Sequence, residues 1–501
     1  MSNHLYDALM EGRRDSTAVF IETVEKKPRR FTFADMHKMA GRFARALSRL
    51  GARPGDRITV QVDKSPEAFA LYLACLRGGF VFQPLNSAYT PAEVAWFIAD
   101  ASPAVVVCDP DRKADLAGAA DRAGARLVTL RGDWRGSLFM LQMTQPDSFR
   151  TVPRAPGDAA AMLYTSGTTG RSKGAVLTHE NLLSNARDLK DIWRFTPDDR
   201  LIHALPIYHV HGLFVACHTA LLASARLLWL ERFKAKKIVK TMPQATVLMG
   251  VPTFYARLLG QRGLKRAASG MRLFISGSAP LSPALHAAFL AATGQAIVER
   301  YGLTETGMLT SNPLDGPRKP GSAGLPLPSV TLRITGARSG VPVEPGEPGM
   351  IEAKGPNVFP GYWQQPEKTA EAFRDGWFIT GDLGFFDSGG YLHISGRARD
   401  LVITGGLNVY PAEVEAAIDA IEGVAESAII GLPDAEWGEI VCAVIAPEKG
   451  ARLDEDAILC ALEGTLARFK QPKRIIFTDA LPRNAMGKVQ KNILRQRYAK
   501  A

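Results

Sequence analysis

Short apolar runs alternate with helix-like segments through the first part of the chain. The runs RITVQV at 57–62, AVVVCD at 104–109 and ARLVTL at 125–130 are rich in β-branched residues, and helical stretches at 66–76 and 91–100 interrupt them. Strands that alternate with helices predict parallel sheets joined by right-handed crossovers. In such sheets, ligands bind in the loops beyond the carboxyl ends of the strands.

The same alternation continues from residue 160. A predicted strand, AAMLY at 160–164, leads into a loop, and a predicted helix over 179–193 leads out of it. Five further apolar runs follow with helical segments between them, namely RLIHALPI (200–207), SARLLWL (224–230), ATVLMGV (245–251), MRLFISG (271–277) and AIVERYG (296–302). The loop after residue 164 therefore lies where a wound sheet would bind a ligand.

The texture of the sequence changes after residue 320. Strands punctuated by proline and glycine predict a small β-rich subdomain at about 321–398, and the last hundred residues read helix, strand, strand, helix, strand, helix. We predict an α/β fold with a large N-terminal domain of wound parallel sheets at 1–398, including that subdomain, and a small mobile α+β C-terminal domain at 399–501. The boundary near Arg399 lies in a polar stretch beside glycines, where few contacts would need to cross.

Composition limits the class of protein. A chain of 501 residues with 46% hydrophobic and 22% charged residues is globular and long enough for more than one domain. Its five cysteines are scattered without paired spacing, which favours a reducing compartment. The N-terminus lacks the apolar core of a signal peptide, and polar residues interrupt the most apolar window at 213–230. We therefore predict a cytoplasmic protein that does not enter a membrane.

The net charge of +11 is concentrated near the C-terminus. Residues 466–501 contain ten lysines or arginines and one acidic residue, Asp479. A basic tail of this kind can bind nucleic acid, but aromatic residues are not interleaved with the cations as they are in single-strand readers. Its apolar residues suggest a folded element that faces a small polyanion, while a solvated basic face explains the charge equally well.

The loop YTSGTTGRSKG at 164–174 combines three glycines, six hydroxyl side chains and two cations. Composition alone leaves two interpretations open. Such residues occur in flexible surface turns, and they also form loops that hold phosphate oxygens with backbone N–H groups and hydroxyls. It is not a Walker loop, because the position five residues after Gly167 is Ser172 rather than glycine.

Four later stretches of sequence form a series of motifs with this loop. They are YGLTETG at 301–307, GWFITGDLG at 376–384, GRARD at 396–400 and PRNAMGKVQK at 482–491. Together the five resemble, in order and spacing, the core motifs of the adenylate-forming superfamily, which contains acyl-CoA synthetases, adenylation domains and luciferases. The resemblance runs from about residue 20 to the end of the chain.

The resemblance implies that a carboxylate attacks the α-phosphate of ATP and expels pyrophosphate, so that the site must neutralise developing charge. Thr304 would contact the α-phosphate, and Glu305 would hold Mg²⁺, which prefers oxygen ligands. Asp382 and Arg397 would hold the ribose, with Tyr301 against the adenine. The implied ATP- and AMP-binding positions are Thr165, Ser166, Gly167, Thr168, Thr169, Gly170, Lys173, Gly277, Ser278, Ala279, Glu299, Arg300, Tyr301, Gly302, Asp382 and Arg397.

Four of these residues could instead have roles that involve no ligand. Lys173 is equally well explained as a solvated loop lysine, and Glu305 as a surface carboxylate. Asp382 could serve only as the side chain of an Asx turn, and Tyr301 could be a core tyrosine.

The C-terminal motifs imply two alternating arrangements of the same site. Lys488 would bridge the attacking carboxylate and the α-phosphate, and it matches lysines that acetyltransferases and deacetylases modify in acyl-CoA synthetases. After adenylation, the C-terminal domain would rotate about a hinge at Arg399. The loop with Gly405, Gly406 and Leu407 would then replace the Lys488 loop and form the coenzyme A tunnel.

The acid is suggested by four positions. Arg257 lies on a helix opened by Pro252, and a guanidinium with the hydroxyl of Ser278 would suit a second carboxylate. An arginine that reaches to water at the helix edge is the competing interpretation. Both positions resemble those of malonyl-CoA synthetases, as do His209 and Met308.

We therefore expect an ATP- and Mg²⁺-dependent ligase that joins malonate, or a related dicarboxylate such as methylmalonate, to coenzyme A. The alternatives are a ligase for another small acid and an adenylation enzyme that charges a separate carrier protein. A nucleic-acid-binding protein would not need Lys488, Glu305 and Asp382 together.

Overall fold

The computed structural model describes residues 2–165, 172–337, 339–405, 407–463, 465–484 and 488–499. The strands of these residues are β1 (Val19–Thr23), β2 (Arg30–Thr32), β3 (Arg57–Gln61), β4 (Val81–Pro84), β5 (Val105–Cys108), β6 (Arg126–Thr129), β7 (Ala159–Thr165), β8 (Lys173–Thr178), β9 (Arg200–His203), β10 (Arg226–Trp229), β11 (Val247–Gly250), β12 (Leu273–Ser276), β13 (Ile297–Leu303), β14 (Gly307–Ser311), β15 (Leu325–Pro326), β16 (Thr331–Thr335), β17 (Gly349–Lys354), β18 (Gly361–Tyr362), β19 (Phe373–Arg374), β20 (Trp377–Phe386), β21 (Leu392–Arg397), β22 (Val402–Thr404), β23 (Leu407–Val409), β24 (Val424–Asp434), β25 (Gly438–Pro447) and β26 (Arg474–Phe477).

The α-helices of the described residues are α1 (His4–Met10), α2 (Phe33–Arg49), α3 (Pro66–Gly78), α4 (Pro91–Ala101), α5 (Lys113–Arg122), α6 (Ser137–Met143), α7 (His179–Ile192), α8 (Cys217–Leu222), α9 (Ala235–Thr241), α10 (Pro252–Leu259), α11 (Leu264–Ala268), α12 (Pro283–Thr293), α13 (Pro366–Glu371), α14 (Pro411–Asp419), α15 (Glu455–Leu462) and α16 (Lys491–Tyr498). A π-helical segment at His211–Ala216 runs directly into α8. Among these helices, none combines the length and the apolar content that a membrane crossing requires.

Two large sheets form the N-terminal part, as the alternating pattern predicted. One has seven strands in the order β18-β8-β7-β4-β3-β5-β6, and the other has nine in the order β15-β14-β13-β12-β11-β9-β10-β1-β2. The pairs between β13, β12, β11, β9 and β10 are all parallel, so the carboxyl ends of these strands meet at one edge. A single hydrophobic core joins apolar side chains from both sheets. The predicted fold class is confirmed.

Local signals fix where two of the helices, α7 and α10, begin. Helix α7 begins at Thr178, whose hydroxyl accepts from the backbone N–H of Asn181 while the Asn181 side chain accepts from Thr178 in return. Helix α10 begins with Pro252, which fits a first helical turn because its nitrogen has no hydrogen to leave unpaired. Helix α10 therefore begins just beyond the carboxyl end of β11, whereas α7 begins at the opposite edge of its sheet because β8 runs antiparallel to β7.

Two smaller sheets complete the fold. The β-rich region forms a five-stranded antiparallel sheet of β16, β17, β19, β20 and β21. The last hundred residues form a separate sheet, in which the hairpin of β22 and β23 precedes the predicted order of helix, strand, strand, helix, strand, helix. The exact domain boundary at 398/399 stays a prediction.

Candidate active site

Glu305 lies beside the end of the phosphate-loop hairpin, which is formed by β7, β8 and the predicted phosphate loop between them. It is buried in the turn between β13 and β14, and its Oε1 accepts hydrogen bonds from Thr165 Oγ1 at 3.3 Å and from Tyr362 Oη at 3.1 Å. Thr165 is the last residue of β7, and Lys173 opens β8 with its Nζ 4.9 Å from the centre of the Tyr362 ring. Thr304, half-buried, precedes Glu305 in the same turn. The structure thus places Thr165 against the predicted metal carboxylate, and Tyr362 connects that carboxylate to Lys173.

The donor set around Glu305 fits Mg²⁺ carried by a nucleotide. Among the described residues, no hydrogen bond reaches Glu305 Oε2, and no group of three or more His, Cys, Asp or Glu side chains could form a metal cage. Magnesium in nucleotide sites is held by one or two carboxylates and the substrate phosphates rather than by a cage. Glu305 is therefore the residue that would hold the metal, with Thr165 beside it.

The pair Asp382 and Arg397 is built by strand register. The two residues stand opposite each other on β20 and β21, and Arg397 Nε lies 2.8 Å from Asp382 Oδ1. Tyr301 donates its phenol proton to Asp382 Oδ2 at 2.6 Å. Burial raises the pKa of Asp382, and Arg397 and the Tyr301 hydrogen bond oppose that rise. A direct hydrogen bond therefore joins Asp382, the predicted ribose ligand, to Tyr301, the residue predicted to lie against adenine.

The loop after β12 forms the neighbouring wall. Ser278 adopts a left-handed backbone with φ of +70°, a conformation that costs energy for a residue other than glycine and clusters at functional sites. Glu299 accepts from the backbone N–H of Leu281 at 3.0 Å, and burial raises the pKa of Glu299 to about 8. The side chain of Glu299 therefore braces the loop that carries the predicted nucleotide-binding positions Gly277, Ser278 and Ala279.

Arg300 is a buried cation with free donors. Its side chain is 3% exposed, and its Nε and Nη2 have no hydrogen-bond partner among the described residues. The guanidinium lies against Gly277, where an added Cβ would stand 2.5 Å from Arg300 Cζ, so glycine is required for this contact. Burial lowers the pKa of Arg300 to about 9, the direction expected for a charge without a counter-ion.

Two neutral imidazoles share this end of the site. His211 Nδ1 lies 3.2 Å from Ser278 Oγ, and His211 opens the π-helical segment that follows β9. Burial, followed by the charge of Arg300, lowers the pKa of His211 well below its ordinary value. Burial, Lys488 and Arg300 together lower the pKa of His209 to about 3. Neither ring adds a positive charge at neutral pH, which leaves Arg300 as the buried cation beside Ser278.

Arg257 makes no hydrogen bond or ion pair to this group among the described residues. It is exposed on α10, with its guanidinium carbon 6.0 Å from the centre of the Phe233 ring, and no hydrogen bond or ion pair joins it to Ser278 among the described contacts. Met308 is buried on β14 and donates its backbone N–H to Asn185 Oδ1 at 2.9 Å. The role predicted for Arg257 stays a prediction.

Lys488 reaches this site from the C-terminal sheet. Its backbone N–H donates to Asn484 Oδ1 at 3.0 Å, and the residue stays exposed. Partial loss of hydration lowers the pKa of Lys488, with Arg397 adding to the effect and Asp382 and Glu305 opposing it. The ammonium is thus in electrostatic contact with the predicted ribose and metal carboxylates.

The hinge and tunnel positions lie on the C-terminal side. Arg399 is exposed in a 3₁₀ turn at Ala398–Asp400. Gly405 has a φ of +56° and donates its N–H to the Trp437 carbonyl at 2.9 Å, while Leu407 is 50% exposed. A Cβ on Gly405 would stand 2.8 Å from the Trp437 ring. Glycine therefore suits position 405 because the backbone is left-handed there and because a side chain would collide with Trp437.

Comparison with known proteins identifies the family. The family model for the AMP-binding enzyme matches residues 7–363, and the model for the AMP-binding enzyme C-terminal domain matches residues 413–488. The chain belongs to the AMP-binding enzyme family. It is an AMP-forming acid–CoA ligase of the adenylate-forming superfamily, and it uses ATP and coenzyme A.

The relatives of the ligase share its whole length. The ATP-bound crystal structure of MatB from Rhodopseudomonas palustris is 53% identical, with a TM-score of 0.97 over 100% of this chain and 99% of that chain. A feruloyl-CoA synthase of Amycolatopsis sp is 36% identical over 472 residues, covering 93% of this chain and 94% of its own. An oxalate–CoA ligase of Arabidopsis thaliana is 33% identical over 481 residues, covering 93% of each chain. The acids in these names differ, so this level of similarity does not select one.

Six predicted site residues of the ligase lie outside the described residues. The structure does not describe residues 166–171, which belong to the predicted phosphate loop, or Gly406, a predicted tunnel glycine. The positions concerned are Ser166, Gly167, Thr168, Thr169, Gly170 and Gly406.

Sequence reasoning about the ligase missed two features. The nucleotide role predicted for Arg300 stays a prediction, but its burial with donors that lack partners among the described residues was not foreseen. Strand alternation, which puts Arg300 and Tyr301 on opposite faces of β13, could have indicated that their surroundings differ. Tyr362 was not singled out, because no local signal in Gly361–Tyr362 indicates a contact with Glu305, 57 residues away.

Proposed function

We propose that the ligase joins malonate to coenzyme A, and that the buried Arg300 receives the second carboxylate of the acid. The observation that carries this proposal is the buried guanidinium with two N–H groups that lack partners among the described residues. A buried charge without a partner is costly, and a buried donor without an acceptor adds to that cost. A dianionic acid supplies both the charge and the acceptors.

The surroundings of Arg300 favour a short, polar acid. Ser278 adds a hydroxyl donor beside it, and His211 contributes a neutral ring bonded to Ser278. A benzoate would need a flat aromatic slot, and a fatty acid would need an apolar tunnel without a buried cation. The resemblance of Arg257, Ser278, His209 and Met308 to positions of malonyl-CoA synthetases supports the same choice.

The first half-reaction follows from the geometry around Lys488. The reacting carboxylate oxygen bonds to the α-phosphorus of ATP, and the bond to the pyrophosphate oxygen breaks. Lys488, near Asp382 and Glu305, neutralises charge between the carboxylate and the α-phosphate. Asp382 and Arg397 hold the ribose. Mg²⁺ on Glu305 would neutralise the phosphates as pyrophosphate leaves.

The second half-reaction needs a different arrangement of the same site. The thiol of coenzyme A bonds to the acyl carbon, and AMP leaves with the electron pair of the broken acyl–oxygen bond. We propose that rotation about Arg399 removes Lys488 and brings in the hairpin with Gly405 and Leu407. Arg399 lies in the 3₁₀ turn between β21 and β22, where a few dihedral angles can carry a hinge motion.

Lys488 is also a proposed modification site. It is exposed, and acetylation would remove the charge that the first half-reaction requires. A lysine acetyltransferase and a deacetylase are therefore proposed partners of the ligase.

An acid panel tests the proposed substrate. Pyrophosphate release and thioester formation are measured with malonate, methylmalonate, oxalate, acetate, butyrate and ferulate, each with and without coenzyme A. We expect the highest kcat/KM with malonate, and thioester formation only when coenzyme A is present. A higher kcat/KM with butyrate or ferulate would remove malonate as the substrate and leave the ligase class intact.

A further inference from the structure

The hydrogen bonds that hold Glu305 are one-sided. Among the described residues, the side-chain donors are Thr165 Oγ1 and Tyr362 Oη, and they reach Oε1 and not Oε2. The backbone carbonyl of Glu305 is held as well, because it accepts from the N–H of Phe359 at 2.8 Å. Phe359 and Tyr362, which lie just before and within β18, therefore both hold this one glutamate.

The segment that contains these two residues braces the whole turn after β13. Asn357 donates its amide to the carbonyls of Thr306 and Met308, at 2.7 and 3.2 Å. Its own position is fixed by Asn181, at the start of α7, which donates to the carbonyls of Pro356 and Val358 at 2.8 and 2.9 Å. The turn that carries Glu305 is thus tied to the helix that follows the phosphate-loop hairpin.

Strand pairing ties the same segment to the hairpin itself. Tyr362 pairs with Ala175 in the antiparallel contact of β18 with β8, two residues beyond Lys173. Lys173 lies over the Tyr362 ring, as a cation attracted to the face of an aromatic ring would. One tyrosine therefore contacts the predicted metal ligand through its hydroxyl and a predicted phosphate ligand through its ring.

We infer that Tyr362 is a positioning residue: its phenol fixes Glu305 at Oε1 and so presents Oε2 to the Mg²⁺ that accompanies ATP. This inference rests on the proposed metal role of Glu305. It does not depend on which acid the ligase uses. Residues around a metal ligand commonly orient it in this way, and their loss weakens metal binding.

A purely structural role would use the ring and backbone of Tyr362 and not its hydroxyl. The backbone N–H is already bonded to Thr369 Oγ1 at 2.9 Å, and the ring packs edge-on against Phe359 with centres 4.9 Å apart. Tyr362→Phe keeps both of these contacts. The variant therefore removes the bond to Glu305 and leaves the packing unchanged.

Tyr391 provides a matched control. Its phenol donates to the Pro317 carbonyl at 2.9 Å, and Lys319 Nζ lies 4.2 Å from the centre of its ring. The same chemical group, with the same kind of cation over it, is thus found outside the site. Tyr391→Phe makes the same atomic change without touching Glu305.

The test is a calorimetric titration of ATP into the full-length protein with excess Mg²⁺ or with EDTA, without any acid present. We expect Tyr362→Phe to raise the Kd of ATP in Mg²⁺ about tenfold, since a hydrogen bond to a charged group is lost. The Kd in EDTA should match the wild type, and Tyr391→Phe should match it in both conditions. Thermal melting checks that both variants are folded.

A double-variant cycle separates orientation of the carboxylate from general damage. In a Glu305→Gln background, Tyr362→Phe should cause no further loss of Mg²⁺-dependent affinity. Equal loss in Mg²⁺ and EDTA, or an undiminished loss in the Glu305→Gln background, would overturn the positioning role. A wild-type protein whose ATP affinity does not respond to Mg²⁺ would also overturn it, whatever the acid panel shows.

Discussion

At the scale of the residue, two arginines of the same chemistry differ because of where they stand. Arg300 is buried, with donors that have no partner among the described residues, and Arg257 is exposed over an aromatic ring. A surface arginine keeps its hydration, so its net interaction with a ligand is weak. A buried arginine that has already lost hydration gains more from an anion that fits.

The first prediction compares these two arginines. Arg300→Met should lower kcat/KM for malonate about 10²–10⁴-fold, because truncating one partner of a buried charge pair costs roughly 2–5 kcal/mol or more. Activity with butyrate should persist or improve, since methionine removes the unpaired charge. Arg257→Leu tests the predicted second contact in the same assay. An equal loss over all acids would assign the substituted arginine a structural role.

The second prediction concerns Lys488. Lys488→Ala should lower the rate of malonyl-adenylate formation by about 10²–10³-fold or more, the usual effect of losing one charge contact in a transition state. Thioester formation from supplied malonyl-adenylate should stay near the wild-type rate, because the lysine acts only in the first half-reaction. Rapid-quench measurement of each half-reaction checks this, and equal loss of both would contradict the two-arrangement mechanism.

The third prediction follows from the lowered pKa of Lys488. The cationic form is the active one, so activity is present below that pKa and lost as pH rises through it. The alkaline limb of adenylate formation should therefore begin below the ordinary lysine value of 10.5. Lys488→Arg, which keeps its charge at high pH, should move that limb upward in a pH–rate profile. An unchanged limb would assign it to another group.

At the scale of the element, register and turns bring distant residues together. Antiparallel pairing sets Asp382 opposite Arg397, and the phenol of Tyr301 on β13 reaches Asp382 from 81 residues away. The 3₁₀ turn that contains Arg399 follows β21 directly, so it links the strand of Arg397 to the hairpin of the predicted tunnel. A change of backbone dihedral angles confined to this turn should affect the proposed rotation of the C-terminal domain and leave the residues that bind ATP and those of the predicted tunnel in place.

The fourth prediction concerns that turn. Proline fixes φ near −65°, a value that suits a 3₁₀ turn, so Arg399→Pro should preserve the arrangement seen here and block the other. Adenylate formation should survive near the wild-type rate, and thioester formation should fall. Arg399→Ala, which leaves the dihedral angles free, should retain both activities. Normal overall turnover by the proline variant would place the hinge elsewhere.

At the scale of the whole molecule, the basic tail is partly neutralised by its own domain. Four of its cations form ion pairs with acidic residues, namely Lys470–Glu413, Arg483–Glu426, Lys491–Glu415 and Arg495–Asp400. Charge that is matched in this way is a poor surface for a polyanion, since binding would require those pairs to break. The net charge therefore does not by itself favour the nucleic-acid alternative.

The fifth prediction tests this neutralisation. At about 0.15 M salt, where exposed charges are screened beyond roughly 8 Å, filter binding should retain no single-stranded nucleic acid above background. The double variant Glu413→Gln, Glu415→Gln frees Lys470 and Lys491 and should increase retention at low salt. Strong retention of nucleic acid by the wild type with a steep salt dependence would restore the nucleic-acid alternative.

Local pattern determined the elements and their order. The runs at 57–62, 104–109 and 125–130 became β3, β5 and β6, and the predicted order of the C-terminal elements was correct. Periodicity and turn residues act over a few positions, so a sequence is sufficient to reveal them. The ligase class also followed from sequence, because its motifs keep their order and spacing.

Tertiary structure decided which charges are paired and which side chains meet. Whether Arg300 is buried without a partner, whether the cations of the tail find carboxylates, and whether Tyr362 reaches Glu305 all depend on sheet order and on segments far apart in the chain. The energy of a charge or a hydrogen bond is set by burial and by its partners, and neither is a local property of sequence. The sequence by itself therefore determined the elements and the class of reaction, while the tertiary structure decided the electrostatics that we propose select the acid.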